Sequence, residues 1–179
     1  MAESGRRLFL ALWPGLAQVR QLDQLAGVVH ALGGGRRMRA ETLHMTLAFL
    51  GDVPERHIAD LCAAMAECQA EPFRLEIDRL GYWPANHILW AGCHRPPVQL
   101  GNLVTGVYAA LRRVGLEPVR PDFFPHVTLL RRAEAVPVLP APEPIIWPVA
   151  EWQLVESRRE EGHAAYHRLA AWPTLRQPD

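Results

Sequence analysis

Two short stretches carry the residue types that proton transfer needs. Leu43-His44-Met45-Thr46-Leu47 and Pro125-His126-Val127-Thr128-Leu129 share one pattern, a histidine and a threonine two residues apart with apolar residues between and after them. The histidines lie 82 positions apart, close to half of the 179-residue chain. In a strand, side chains alternate between faces. His44 and Thr46 then share one face, and Met45, Leu47 and Phe49 the other. His126 and Thr128 likewise face away from Val127 and Leu129. A lone His-x-Thr in a strand is ordinarily a surface or core pair. Two copies half a chain apart point instead to two strands meeting across a cleft, with two imidazoles and two hydroxyls converging. That set suits phosphodiester hydrolysis. One neutral imidazole takes a proton from water, one imidazolium protonates the leaving alkoxide, and the hydroxyls hold phosphate oxygens. Histidine suits both roles, since its ordinary pKa is about 6.5. Which histidine plays which role is open at this level.

The surrounding pattern supplies elements to hold these strands. Leu8 to Leu12 is a short apolar run ended by Pro14-Gly15, which reads as a buried strand. Helical spacing covers Leu16 to Leu32, stopped by the glycines at 33–35. Leu43 to Leu50 reads as a strand, and Pro54 then opens a helix through about Gln69. Strands follow at Phe73 to Ile77 and His87 to Cys93, a helix at Pro97 to Val114, and a strand at His126 to Arg131. Val136 to Pro148 is proline-rich loop or edge. Trp152 to Arg158 and Ala164 to Trp172 form a closing hairpin through Glu160-Glu161-Gly162. This order predicts an α+β fold with helices outside antiparallel-rich sheets, and the half-chain repeat predicts two related lobes.

Composition narrows the chemistry. Hydrophobic residues make up 49% and charged residues 21%, enough apolar chain for a sizeable core. Net charge is zero, so an anionic substrate must be held by a local patch. All 19 basic residues are arginine. Without lysine, Schiff-base chemistry and lysyl-adenylate ligation are excluded. Serine occurs only at Ser4 and Ser157, neither in a nucleophile elbow, which removes a serine hydrolase. Cys62, Cys68 and Cys93 form no disulfide framework and suit a reducing compartment. With no signal peptide or membrane-length segment in the sequence, a cytoplasmic enzyme is expected.

These residues together resemble the 2H phosphoesterase superfamily, defined by two H-x-[ST]-hydrophobic motifs. Within it the chain is similar to bacterial RNA 2',3'-cyclic phosphodiesterases, also called 2'-5' RNA ligase-like proteins. The likeness runs through RRLFLAL at Arg6 to Leu12, LHMTLAFLGDV at Leu43 to Val53, Leu80 to Cys93, FPHVTLLR at Phe124 to Arg131, and Leu154 to Pro173 with Ser157, Tyr166 and Trp172. The resemblance implies one domain over residues 1–179, made of two interleaved lobes with pseudo-twofold symmetry around a central cleft. It implies metal-free opening of RNA 2',3'-cyclic phosphate ends, or of small cyclic nucleotides, to 2'-phosphates, with no cofactor and with reverse 2'-5' ligation available. Carried over by motif position, His44 is the proton donor to the departing 3' oxygen and His126 the acceptor from water. Thr46 and Thr128 bind the phosphate. Arg131 matches an arginine that follows the second motif, although strand parity points it away from His126. A monomer without a membrane partner is expected.

Other residues add secondary expectations. The glycine-rich basic loop Gly33 to Arg39 lacks the lysine of a P-loop. It reads as a solvated connection, with Arg36, Arg37 or Arg39 as candidates for the RNA backbone. Phe9, Trp83, Phe123 and Phe124 are candidates to stack on bases. His30, His57, His87, His94, His163 and His167 show no metal-ligand spacing. Two rival functions remain: a metal-dependent phosphodiesterase, which excess EDTA would silence, and a noncatalytic RNA or nucleotide binder, which would bind without turnover.

Overall fold

The computed structural model describes residues 5–160 and 162–175. Ten strands and three helices follow one another as β1 (Gly5–Leu12), α1 (Leu16–Gly33), β2 (Arg36–Arg37), β3 (Met45–Pro54), α2 (Ile58–Ala66), β4 (Phe73–Ile77), β5 (Arg79–Trp83), β6 (Ile88–Gly92), α3 (Val98–Arg113), β7 (His126–Arg131), β8 (Ile145–Val149), β9 (Glu151–Glu160) and β10 (His163–Pro173). The helices and the antiparallel sheets make an α+β fold, as the sequence pattern predicts. Glu161, in the closing turn, lies outside the described residues.

Eight strands form one sheet in the order β10-β9-β1-β3-β7-β6-β5, with β2 pairing onto β7. Strands β4 and β8 form a separate two-stranded sheet. The apolar run at the start of the chain becomes β1, paired on both sides by β3 and β9. Leu8, Leu10 and Leu12 are fully buried on one face. Each such leucine contributes about 2 kcal/mol from leaving water. Phe9 and Ala11 point the other way and pack with Val155, Trp13, Phe49 and Tyr166.

The sheet has a narrow waist. Strand β3 pairs with β7 only at Met45 and Val127. These are the residues that follow the two motif histidines. Each motif therefore begins where two larger pairings meet, β1–β3 on one side and β6–β7 on the other. The helices cross over: α1 packs on β7 and β8, while α3 packs on β3. Their buried faces, including Leu22 and Val29 of α1 and Leu103 and Val107 of α3, join one core with the apolar face of the sheet.

The structure refines three expectations. Pro54 closes β3 rather than opening a helix; a 3-10 turn at Glu55–His57 precedes α2, which ends at Ala66. The proline-rich stretch, expected as loop or edge, holds loop up to an edge strand, β8, beside β4, where proline is tolerated. Phe49 leaves the core side on which strict alternation places it. The β1–β3 register slips at Leu47 and Leu50, and the first slip turns Phe49 toward the cluster of Phe9, Ala11 and Val155.

Candidate active site

A cavity of about 930 Å³ is lined by both motifs. His44, Thr46, His126, Thr128 and Arg131 all contribute to its wall, with Phe9, Trp83, Phe123 and Phe124 around them. The two halves of the repeat thus converge on one space.

Local structure fixes each imidazole in the same way. The 3-10 turn Ala40–Thr42 ends with Thr42 Oγ1 and N–H both donating to the Arg39 carbonyl. The Thr42 carbonyl is left to accept from His44 Nδ1 at 2.7 Å. In the second motif the Phe124 carbonyl accepts from His126 Nδ1 at 2.8 Å. Each histidine is therefore held by the carbonyl two residues earlier, which places the neutral ring's proton on Nδ1 and leaves Nε2 for chemistry. His44 Nε2 lies 3.1 Å from Thr46 Oγ1.

Aromatic rings wall both sites, unequally. Trp13 stacks on His44 with ring centroids 5.0 Å apart and an interplanar angle of 13°. Phe9 lies 5.0 Å away and Tyr166 meets the same imidazole edge-on at 5.3 Å. His126 has Trp83 edge-on at 4.6 Å and Phe124 at 6.1 Å. Two glycines make room for this second wall. A Cβ at Gly81 would sit inside the Trp90 indole, which packs on Phe124. A Cβ at Gly92 would lie 2.7 Å from the Pro125 carbonyl, beside His126.

Burial pushes the His44 imidazolium down to about 4; the Thr42 carbonyl opposes this, and the charges of His126 and Arg131 add to it. His126 is lowered too, first by burial and then by Arg131, against the Phe124 carbonyl. A site that disfavours cations on both rings gains from a bound anion, which offsets that repulsion.

Arg131 reaches the cavity despite strand parity. The β6–β7 register slips between Leu89 and Trp90, whose partners are Leu130 and Thr128. Leu129 and Leu130 both turn into the core, and Arg131 returns to the cleft side. Arg39 does not line the cavity. Its guanidinium donates to the Ala164 carbonyl at 2.8 Å and pairs with Glu41 at 3.3 Å. Arg37 pairs with Asp23 at 2.7 Å. Among the described residues, no group of three His, Cys, Asp or Glu side chains could hold a metal ion.

Residues 15–90 match the model of the LigT like Phosphoesterase family. An RNA 2',3'-cyclic phosphodiesterase of Escherichia coli K12 is 33% identical over 139 residues, 77% of this chain and 79% of its own. The chain belongs to the LigT-like phosphoesterases. An RNA 2',3'-cyclic phosphodiesterase of this family from Thermus thermophilus is 31% identical over 166 residues, 84% of this chain and 81% of its own. The crystal structure of E. coli LigT complexed with 3'-AMP superposes with a TM-score of 0.87 at 28% identity, covering 96% of this chain and 99% of that one. The matched region 15–90 contains His44 and Thr46, whereas His126 and Thr128 lie beyond it. No described helix is long and apolar enough to cross a membrane.

Sequence reasoning missed Trp13, Arg7, Phe49 and Arg120 as cavity or imidazole neighbours. Arg7, Phe9, Ala11 and Trp13 are spaced two apart in and just after β1, so alternation from Phe9 was signal enough for Arg7 and Trp13. Phe49 depends on the register slip, and Arg120 sits in a loop without periodicity.

Proposed function

We propose that this LigT-like phosphoesterase hydrolyses 2',3'-cyclic phosphates at RNA ends to 2'-phosphates by two-histidine acid–base catalysis. The observation that carries the reading is the duplicated imidazole support, with each Nδ1 tied to the carbonyl two residues earlier and both rings on one cavity. The RNA 2',3'-cyclic phosphodiesterases among its relatives support the same substrate class.

In this mechanism His126 Nε2 takes a proton from water as the water oxygen bonds to phosphorus. The bond to the 3' oxygen breaks, and His44 Nε2 delivers the proton to that oxygen. Thr46 and Thr128 hydroxyls donate to non-bridging phosphate oxygens, and Arg131 offsets their charge. In the reverse sense, a 2'-phosphodiester attacked by the adjacent 3' hydroxyl regenerates the ring, and a 5' hydroxyl in place of water gives a 2'-5' linkage. The fold is taken as one domain of two interleaved lobes related by an approximate twofold through the β3–β7 waist. The crossed packing of α1 and α3 supports that reading.

One observation favours exchanged roles. With His44 lowered to about 4, chiefly by burial, its imidazole is neutral at neutral pH, the form a base needs. The bound phosphate must raise His44 for the first assignment to hold.

The test is incubation of a nucleoside 2',3'-cyclic phosphate and a cyclic-ended RNA with the protein in excess EDTA. The expected product is the 2'-phosphate at an undiminished rate. A 3'-phosphate product, or activity abolished by EDTA, contradicts the proposal.

A further inference from the structure

The cavity extends beyond the histidines. Its volume of about 930 Å³ is at the upper end of the roughly 300–1,000 Å³ typical of small-ligand sites. The cleft face of β1 runs outward from His44 as Phe9 and then Arg7. Two strand residues span about 7 Å, so Arg7 stands one such step beyond the ring that contacts His44.

Arg7 is positioned rather than loose. Its guanidinium carbon lies 4.8 Å over the Phe49 ring, the ring that the β3 slip turns outward. This cation–π contact holds the guanidinium against the ring, and a guanidinium so held still has N–H donors for an anion. Arg120 reaches the same wall from the loop before β7. The Val119 N–H donates to the Phe49 carbonyl at 2.8 Å, which anchors Arg120 beside Phe49. Asp122 is the carboxylate on this wall, and its charge acts on the Tyr108 hydroxyl. Among the described residues neither Arg7 nor Arg120 forms an ion pair. In a chain of zero net charge, two unpaired guanidiniums in one cavity are a local anion site.

Resting on the proposed cyclic-phosphate activity, we propose that Arg7 and Arg120 bind the first internucleotide phosphodiester of an RNA whose cyclic end lies at His44 and His126. A free cyclic nucleotide has no such phosphate; the terminal nucleotide of an RNA carries it on its 5' oxygen. The site is thereby built to prefer oligonucleotide ends over mononucleotides.

The experiment compares kcat/KM for a dinucleotide 2',3'-cyclic phosphate and for the mononucleotide with the same terminal base. The wild type is expected to favour the dinucleotide by about tenfold or more, the scale of charge-assisted phosphate contacts. Arg7→Gln/Arg120→Gln should bring that ratio near one while mononucleotide turnover, which reports an intact fold, stays within about threefold of wild type. Arg120→Gln alone, in a loop, should give an intermediate ratio. A wild-type ratio near one, or a ratio that survives both substitutions, overturns the subsite and leaves the proposed activity standing. Failure to open either substrate overturns both.

Discussion

The two histidine sites share their backbone support and differ in their surroundings. His44 sits between Trp13, Phe9 and Tyr166, and its Nε2 is already at Thr46. His126 has Trp83 edge-on, with Phe124 further off, and its Nε2 has no hydrogen-bond partner among the described residues. Enclosure makes the difference chemical. A ring held near 4 takes up a proton at neutral pH only when an anion is beside it, so protonation of His44 is coupled to phosphate binding. A more open imidazole with an unengaged Nε2 is placed to meet water. In the proposed mechanism the enclosed ring is the acid and the open ring the base.

The largest expected effect is loss of either ring. His44→Ala and His126→Ala should each lower kcat by about 10²–10⁴-fold, the usual contribution of general acid–base catalysis, with folding retained by circular dichroism. Near-normal turnover in either variant breaks the pairing. The next effect is on titration. In the ligand-free protein His44 should titrate at about 4 by NMR, and a saturating nucleoside 2'-phosphate should move it up more than it moves His126. An unmoved His44 removes the coupling. The same depressed pKa has a stability consequence. The folded state favours neutral His44, so its contribution is intact above the unfolded value near 6.5. That contribution is lost as pH falls from there through about 4, on the order of 3 kcal/mol for this group. His44→Asn should flatten that part of the denaturation profile.

Smaller effects should separate the two aromatic walls. Removing the stacked Trp13 ring opens His44 to water, so Trp13→Ala should raise its titration toward 6.5 and lower kcat/KM by about tenfold. Trp13→Phe should restore most of both. Trp83→Ala, which leaves the Phe124 side of His126 in place, should cost about threefold. Equal effects at the two walls would contradict the asymmetry.

Much of this arrangement was legible in the sequence because it depends on local periodicity. The His/Thr face of each motif, the bounds of β7 and the course of α1 and α3 follow from spacing alone. What alternation misplaced, it misplaced at bulges. Phe49 and Arg131 each lie beyond a register slip, and a slip is defined by the partner strand rather than by the strand's own residues. Arg39 had the right charge and a nearby position, yet the Ala164 carbonyl and Glu41 draw its guanidinium away from the cavity. In the sequence the prolines mark β8 as loop or edge, and the edge holds because the missing N–H of Pro148 matters little in a two-stranded sheet.

The division of labour between the histidines is tested most directly by a substrate whose leaving group needs no proton. In a nucleoside 2',3'-cyclic phosphate with sulfur in place of the 3' bridging oxygen, a thiolate departs unaided. Turnover of this substrate by His44→Ala should return toward the wild-type rate, while His126→Ala stays slow because water still needs its base. Recovery by His126→Ala instead would exchange the two roles, and recovery by neither would contradict acid–base pairing at the phosphorus.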